Sequence, residues 1–414
     1  MFQFMTSTRI VFGEGVLSSS LSVLNQYGYS VLLVSGRNTQ RAKPVLNYLK
    51  QQKMRYQHVS ISGEPNITMV EETAVIGRRF KPDMVVSIGG GSAIDMGKAL
   101  AAIIPNQGDV YDYVEVVGRS VPLKTKPLPF IAIPTTASTG SEVTNKSVLR
   151  SGQDKVKVSL RSADILPDVA IVDPSLTVGA SSDIAYRGAM ETFTHLMEAY
   201  VCGDPNPLTD MICEEGIRKL SGALTLLTSD DAKFPYSDLA FSSMLGGMAI
   251  SNAKLGAAHG LASSLGGKIT VPHSVITARL APYVMQENIS VAREGGRDDI
   301  LQRYRTIARL VTNNQHANEQ DAVDWIKTTL ECLKLPSLTD FGICMTSFRT
   351  VALDAMQSAS IKGNPIPLTE ERLIFILEQV CTCEEHEEGN QQEKSNASIE
   401  INELGYTQNE TEPF

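Results

Sequence analysis

The chain has 414 residues, of which 42% are hydrophobic, so it is long enough for two or three domains with sizeable cores. Its formal net charge is −9. Nine acidic residues against one lysine place −8 of that charge in 384–414. The rest of the chain is nearly neutral and lacks the basic face that a nucleic-acid-binding protein needs. No apolar run is long enough to span a bilayer and the N-terminus carries no signal-peptide pattern, so we expect a cytoplasmic protein without a membrane or nucleic-acid partner.

The six cysteines give no strong signature of a disulfide framework or a zinc site. Only Cys381 and Cys383 are close in sequence, and a lone C-x-C lacks the second pair that completes a zinc site. We therefore expect free thiols in a reducing compartment. The Asn/Gln/Glu/Ser-rich segment 384–414 is predicted to be an acidic, disordered tail, with an interaction tail as the alternative.

Short apolar runs alternate with longer amphipathic segments from residue 1 to about residue 178. The predicted strands are 30–36, 55–62, 83–91, 127–136 and 169–177. The predicted helices between them are 41–52, 69–80 and 92–104. This alternation predicts an α/β domain over 1–178, with a parallel sheet that is covered on both faces.

Three consecutive glycines and a serine, Gly89 to Ser92, lie between a predicted strand and a predicted helix. Glycines there allow backbone N–H groups to surround a phosphate at the helix N-terminus. The alternative is a tight turn with no ligand. The motif is not G-x-G-x-x-G, so it differs in detail from the common dinucleotide fingerprint.

A second polar loop, IPTTASTGSEVT, follows the strand that ends near Ile133. Its hydroxyls lie at the carboxyl end of a predicted parallel strand, which is where this class of sheet binds ligands. A Ser/Thr-rich loop that merely caps the next element is the alternative.

The chain changes character after residue 178. Long Ala-, Leu- and Met-rich segments with helical periodicity dominate, and β-branched runs are almost absent. We predict an all-α domain over 179–383.

One predicted helix of this second half carries Glu191 and His195 on the same face, four residues apart. His259 and His273 lie on later segments and could complete a set of one carboxylate and three imidazoles. That donor set suits Fe²⁺ or Zn²⁺. Each of these residues taken alone is more often an ordinary core or surface residue.

Five segments occur in an order and at distances that resemble the iron-dependent (group III) alcohol dehydrogenases: GGGSAIDMGKA, PTTASTGSEVT, LPDVAIVDPSLT, METFTHLMEAY and HGLASSLGGKITVPH. The resemblance covers roughly residues 4–382. It implies an N-terminal dinucleotide-binding domain, a helical metal domain, an active site between them, and a homodimer or larger assembly.

By position, the resemblance assigns the metal ligands to Glu191, His195, His259 and His273, with Glu191 where the family usually has Asp. The family's cofactor contacts fall on Gly90, Gly91, Ser92, Asp95, Thr135, Thr136, Thr139 and Lys157. The implied reaction interconverts an alcohol and an aldehyde or ketone, using NAD or NADP and Fe²⁺, with Zn²⁺ as an alternative.

Two positions depart from the family pattern. Ser263 stands where a further histidine is common, and a serine can hydrogen-bond but is no strong acid or base near neutral pH. Gly36 and Arg37 follow the strand at 30–36, where NAD-preferring members often carry Asp, and an Arg there can accommodate a 2′-phosphate. NADP(H) is the cofactor that this pair predicts.

Arg187 lies four residues before Glu191, and Lys254 and Lys268 bracket His259. These cations suggest a pocket for an anionic or polyhydroxylated substrate, such as a hydroxy acid or a phosphonate. In the alternative, Arg187 pairs with Glu191 or a neighbouring helix and the lysines are solvated.

Three other functions remain open at this point. A metal-independent reductase like maleylacetate reductase would share the fold. A lyase like dehydroquinate synthase would recycle its NAD, and a non-catalytic binding protein would keep the loops without turnover.

Overall fold

The N-terminal half is built on a six-stranded parallel sheet with the strand order β1-β8-β5-β4-β2-β3. The computed structural model describes residues 2–7, 9–154, 156–227 and 234–381. The strands are β1 (Arg9–Phe12), β2 (Ser30–Ser35), β3 (Arg55–Ser60), β4 (Met84–Gly89), β5 (Phe130–Pro134), β6 (Lys146–Ser151), β7 (Val156–Arg161) and β8 (Val169–Val172). Strands β6 and β7 form a separate antiparallel hairpin.

The central strands β2, β4 and β5 are buried along their whole length. They are near-continuous apolar runs because a parallel sheet is covered on both faces. One face of the sheet, with Leu32, Val85 and Ala132, packs against residues of 67–80 and 91–103. The other face, with Leu33, Val86 and Ile131, packs against residues of 16–26 and 43–51. The predicted α/β class is confirmed, but β1 and the β6–β7 hairpin were not predicted.

Four helices belong to this half of the chain. They are α1 (Val16–Ser20), α2 (Lys43–Gln51), α3 (Ile67–Phe80) and α4 (Gly91–Ile103). Helix α4 packs against the centre of the sheet and contains almost only small or apolar buried residues, which is why it can lie so close to β4 and β5.

The C-terminal half is mostly helical, as predicted. Its helices are α5 (Ser182–Val201), α6 (Pro207–Leu227), α7 (Tyr236–Asn252), α8 (Ala257–Leu265), α9 (His273–Glu294), α10 (Asp298–Thr312), α11 (Glu319–Cys332), α12 (Phe348–Gln357) and α13 (Glu370–Val380). Their shared core also takes in Val143, Ala170 and Val172 from the sheet side, so the two halves pack together.

The strand order reverses between β2 and β4, because the chain first extends the sheet to β3 and then returns to build the other side. The loops after these two strands therefore diverge and leave a crevice at their carboxyl ends. In open α/β sheets, ligands bind at this switch point. The predicted glycine loop and Gly36 both lie there.

No helix in the four described ranges is long and apolar enough to cross a membrane. The predicted acidic tail 384–414 and Cys383 lie outside the described residues.

Candidate active site

The glycine loop joins β4 directly to helix α4. A Cβ on Gly89 would lie 2.6 Å from the Cβ of Ala93, and one on Gly91 would lie 3.0 Å from Oγ1 of Thr139. Gly90 is the N-cap of α4 and provides no side-chain hydrogen bond to its first turn. The first amides of α4, including that of Ser92, therefore remain available to an anionic ligand.

The polar loop that follows β5, here called the threonine loop (133–144), lies against the glycine loop (89–92). A Cβ on Gly90 would meet Oγ1 of Thr136 at 3.3 Å, which matches the contact of Gly91 with Thr139. Thr135 is buried, and its N–H donates to the carbonyl of Gly89 at 2.9 Å. The two loops that the sequence singled out separately thus form one surface.

The end of β2 borders the same crevice. The Gly36 N–H donates to the carbonyl of Ile88 at 3.4 Å, which keeps Gly36 beside β4. Arg37 follows it with an exposed side chain that forms no ion pair with the described residues. Arg41, which the sequence analysis did not select, donates from Nη1 to the carbonyl of Thr135 at 2.9 Å.

Asp95 lies one turn into α4, beneath the threonine loop. Its carboxylate accepts a hydrogen bond from the Ser141 hydroxyl at 2.6 Å and another from the Val148 N–H at 3.2 Å. Burial raises its pKa, against the effect of the Lys98 ammonium. Lys157 lies on the β6–β7 hairpin, where its Nζ is 2.6 Å from Oε1 of Glu64.

The four predicted metal-binding side chains lie together below these loops. Glu191 and His195 are one turn apart on the buried part of α5. The ring centroids of His195 and His259 are 4.8 Å apart, and those of His259 and His273 are 5.6 Å apart. Helix α8 supplies His259, and His273 is the first residue of α9.

Two ring nitrogens of this group, Nδ1 of His195 and Nε2 of His259, are buried and have no hydrogen-bond partner in the described part of the chain. Burial holds the pKa of His195 and of His273 well below the usual value, so both rings are neutral. Burial also raises the pKa of Glu191, which accepts the Ser138 hydroxyl at 2.5 Å. Neutral imidazoles are the form in which histidines bind a metal, whereas Glu191 would bind one as its deprotonated carboxylate.

The donor chemistry fits a divalent iron or zinc ion. Among the described residues, no three of these donors are already arranged to hold a metal ion. His195 and His259 are stacked with 18° between their ring planes, and Glu191 is engaged by Ser138. Binding of a metal ion therefore requires these side chains to rearrange, although the donor residues are already neighbours.

Two side chains that support this site were missed at the sequence level. Glu198 accepts a hydrogen bond from Nδ1 of His259 at 2.6 Å and is itself 2% exposed. Ser138 links the threonine loop to Glu191. The signal for Glu198 was present, since it is three residues after His195 and seven after Glu191, on the same helix face.

The other predicted site residues lie near the surface. Ser263 is exposed, and its hydroxyl donates to the carbonyl of His259 at 2.9 Å. Arg187 pairs with Asp183 at 3.2 Å, one turn earlier on α5. The two lysines proposed to make the pocket basic also have partners: Lys254 pairs with Asp204 and Lys268 with Asp354.

Sequence comparison places the chain among known proteins. Residues 7–174 match the family model for iron-containing alcohol dehydrogenase, and 185–381 match the C-terminal model of the same family. Alcohol dehydrogenase 4 of Saccharomyces cerevisiae is 30% identical over 375 residues, or 89% of this chain and 95% of the yeast protein. A 1,3-propanediol dehydrogenase of Klebsiella pneumoniae is 30% identical over 85% of this chain and 91% of its own length.

The fold agrees with solved structures. A crystal structure of a 1,3-propanediol oxidoreductase superposes with a TM-score of 0.84 at 28% identity, covering 92% of this chain and all of the other. An iron-containing alcohol dehydrogenase from Thermococcus thioreducens gives 0.82 at 26% identity, over 91% of this chain and 99% of its own. This chain belongs to the iron-containing alcohol dehydrogenase family. It is an alcohol–carbonyl oxidoreductase, and family membership implies iron and a nicotinamide dinucleotide in general.

Proposed function

We propose that this oxidoreductase binds one divalent metal ion through Glu191, His195, His259 and His273 and uses it to oxidise a small alcohol. Fe²⁺ is the proposed ion, with Zn²⁺ as the alternative. The observation that carries this proposal is the pair of buried, unpartnered nitrogens on His195 and His259. Unpartnered polar atoms are costly inside a protein unless a ligand completes them.

The reaction transfers a hydride from the carbinol carbon to the nicotinamide, and the hydroxyl proton leaves to solvent, so that NAD(P)⁺ becomes NAD(P)H. When bound, the metal supplies a Lewis acid for the substrate oxygen and the nicotinamide accepts the hydride. The residues of the chain orient these groups and exclude water. The hydroxyl of Ser138, in the threonine loop, donates to Glu191, and this contact holds the proposed dinucleotide site beside the proposed metal site.

The proposed dinucleotide site combines the glycine loop, the threonine loop and the end of β2. We assign the pyrophosphate to the α4 N-terminus at Gly90, Gly91 and Ser92. The remaining proposed contacts are Asp95, Thr135, Thr136, Thr139 and Lys157. Arg37, beside Gly36, forms no ion pair with the residues that the structure describes, and its charge favours NADP(H) over NAD(H) because it can bind a 2′-phosphate.

Ser263 is the proposed hydroxyl for passing the substrate proton toward solvent, since it is exposed one turn after His259 and can accept a hydrogen bond while donating one. Arg187 remains a proposed substrate-facing cation, with Asp183 as its neighbour. A cytoplasmic homodimer or larger assembly completes the proposal, and light scattering of the purified protein measures its mass.

The proposal is tested by anaerobic purification and metal analysis alongside alcohol-oxidation assays. We expect one iron or zinc ion per chain, and we expect His259→Ala to lose both the metal and the activity. His316→Ala, at an exposed position, is the matched control and should keep both. Full metal content in His259→Ala would overturn the ligand assignment.

The cofactor assignment has its own test. Arg37→Ala should weaken NADPH binding by about tenfold or more, because a charge-assisted hydrogen bond is lost, while NADH binding changes little. Arg79→Ala removes an exposed arginine elsewhere and serves as the control. Equal effects of Arg37→Ala on both dinucleotides would contradict the assignment.

A further inference from the structure

One face of the β6–β7 hairpin is cationic. The register pairs Lys146 with Arg161 and Arg150 with Lys157, and paired residues share a face. The opposite face buries Leu149, Val158 and Leu160 in the core beneath the sheet. The four cations therefore point away from that core.

Two of these four cations have carboxylate partners. Of the other two, Arg150 is exposed and Lys146 is partly buried. Lys157 bonds to Glu64, and Arg161 bonds to Glu115 at 3.0 Å. The ammonium of Lys146 forms no ion pair and donates no hydrogen bond among the residues that the structure describes. Burial lowers the pKa of Lys146 to about 8, with repulsion from Arg161 acting in the same direction.

The strand that carries Lys146 is firmly held against α4. The carbonyl of Lys146 accepts a hydrogen bond from Nζ of the buried Lys98 at 2.8 Å. The next residue, Ser147, donates its hydroxyl to the carbonyl of Asp95 at 2.8 Å. Lys146 is therefore positioned by an ordered strand rather than by a loop.

The ammonium of Lys146 lies within electrostatic range of carboxylates on α4 and α5. Its charge is attracted by Asp95 and by Glu191, and it helps to lower the pKa of His195 and of His273. These partners belong to α4 on one side and to the proposed metal site on the other. Lys146 therefore interacts electrostatically with the proposed metal ligands, and the carbinol carbon of the substrate must lie beside those ligands.

The cofactor's phosphates do not account for this charge. They are assigned to the N-terminus of α4 at Gly90 to Ser92, whereas Lys146 interacts with Asp95, about one helical turn further along α4. The backbone N–H groups at the N-terminus of α4 can already bind the phosphates there. A cation that interacts with the proposed metal ligand Glu191 and has no ion pair within the described ranges remains available for a second anion.

We infer that Lys146 recognises an anionic group of the substrate, so that the preferred substrate is a small hydroxy acid or its oxo-acid counterpart. This inference rests on the proposed function, because it places the substrate at the four-ligand site. It adds to the proposed substrate pocket a cation that has no ion pair among the described residues, whereas Arg187, Lys254 and Lys268 all have carboxylate partners. A carboxylate a few atoms from the carbinol carbon would lie against Lys146 while the hydroxyl faces the metal ligands.

The test compares two probes of equal length, 3-hydroxypropanoate and 1,3-propanediol, with the metal-loaded enzyme. We expect a higher kcat/KM for the acid. Lys146→Met should reduce the ratio of the acid's kcat/KM to the diol's by about 10- to 100-fold, mainly through the KM of the acid. Lys146→Arg, which keeps the charge, should restore much of the ratio. 2-Hydroxyethylphosphonate forms a second arm that distinguishes a carboxylate preference from a phosphonate preference.

Arg150→Met is the matched control, because Arg150 lies on the same face and strand but is exposed. It should leave the ratio unchanged. Calorimetry of 3-hydroxypropanoate with the enzyme loaded with reduced cofactor reports binding without turnover, and Lys146→Met should weaken that binding by the same factor.

Each adverse result has a distinct meaning. Oxidation of the diol with no preference for the acid overturns the inference and leaves the proposed function intact. The inference is also overturned if Lys146→Met leaves the ratio of the acid's kcat/KM to the diol's unchanged. Weaker dinucleotide binding in Lys146→Met, instead of a change in that ratio, overturns it as well. No oxidation of either probe by the metal-loaded wild type counts against both the substrate class and the proposed reaction, and the metal analysis of His259→Ala then separates the two.

Discussion

His259 is oriented by a buried carboxylate. Oε2 of Glu198 is 2.6 Å from Nδ1 of His259, and Oε1 accepts the N–H of Ala258 at 2.7 Å. This contact fixes the ring so that Nε2 is the nitrogen left for a metal. Carboxylates that bind the far nitrogen of a ligating histidine both orient the ring and strengthen it as a donor.

Glu198→Gln is therefore expected to lower metal affinity by about 10- to 100-fold, without removing any proposed ligand. Competition with a metal chelator measures this affinity directly. Glu294→Gln makes the same chemical change at a surface carboxylate that pairs with Arg372, and it should leave the affinity unchanged. Equal metal affinity in Glu198→Gln and wild type would show that the contact has no positioning role.

Glu142 is another buried carboxyl, near the end of the threonine loop. Burial raises its pKa to about 7, although the nearby Lys98 acts to lower it. Because the folded-state pKa lies above the ordinary value, the stabilisation from this group is complete at low pH and is lost as the pH rises toward 7.

The wild type should therefore lose stability from Glu142 between about pH 4.5 and pH 7, by about 3 kcal/mol. Glu142→Gln should flatten this part of the pH profile. Chemical denaturation at several pH values gives the comparison, and Glu72→Gln, at an exposed position, is the control. Parallel profiles for Glu142→Gln and wild type would contradict the assigned pKa.

The threonine loop and helix α7 meet at two glycines. Gly140 has φ = +61°, and a Cβ there would lie 2.3 Å from the carbonyl oxygen of Ser243 and 2.6 Å from Cα of Gly247. Backbone meets backbone at this crossing, so neither element can move aside by changing a rotamer. The crossing holds the threonine loop against the helical half.

Gly140→Ala should destabilise the protein by about 1–3 kcal/mol or more through overpacking and a strained φ. It should also displace Ser138 from Glu191. Thermal unfolding and dinucleotide titration measure the two effects. Gly152→Ala, in open space at the hairpin turn, should be nearly neutral, and similar losses in both variants would rule out the crossing as the cause.

At the scale of the whole molecule, the two halves share a core. Val143, Ala170 and Val172 come from the sheet side but belong to the helical cluster. The Thr192 hydroxyl also donates to the carbonyl of Ser138 at 2.8 Å across the boundary. Packing that crosses the boundary in this way couples the unfolding of the two parts.

We expect a single calorimetric unfolding transition. Dinucleotide at 100 times its Kd should add about 2.7 kcal/mol to the stability of the whole molecule rather than of one half. Calorimetry with and without NADPH measures both quantities, with adenine alone as the control ligand. Two resolved transitions, of which only one shifts with NADPH, would show that the halves are independent.

Much of the architecture could be predicted because it depends on local patterns. Buried strands such as Ser30–Ser35 are uninterrupted apolar runs, and three glycines between a strand and a helix indicate a turn with exposed amides. The hairpin was missed because its strands carry Lys and Arg on one face, which resembles a solvated loop. Lys146 was missed for the same reason.

Local sequence patterns were enough to predict the fold class, the two loops and the spacing of the histidines, since these depend on neighbours in the chain. The partners of the charged and polar side chains became known from the folded chain: Asp183 for Arg187, Glu198 for His259, Ser138 for Glu191, and none among the described residues for the ammonium of Lys146. The physical reason is that a charge acquires its role from what lies within a few ångströms. Most of those groups are tens of residues away in the chain.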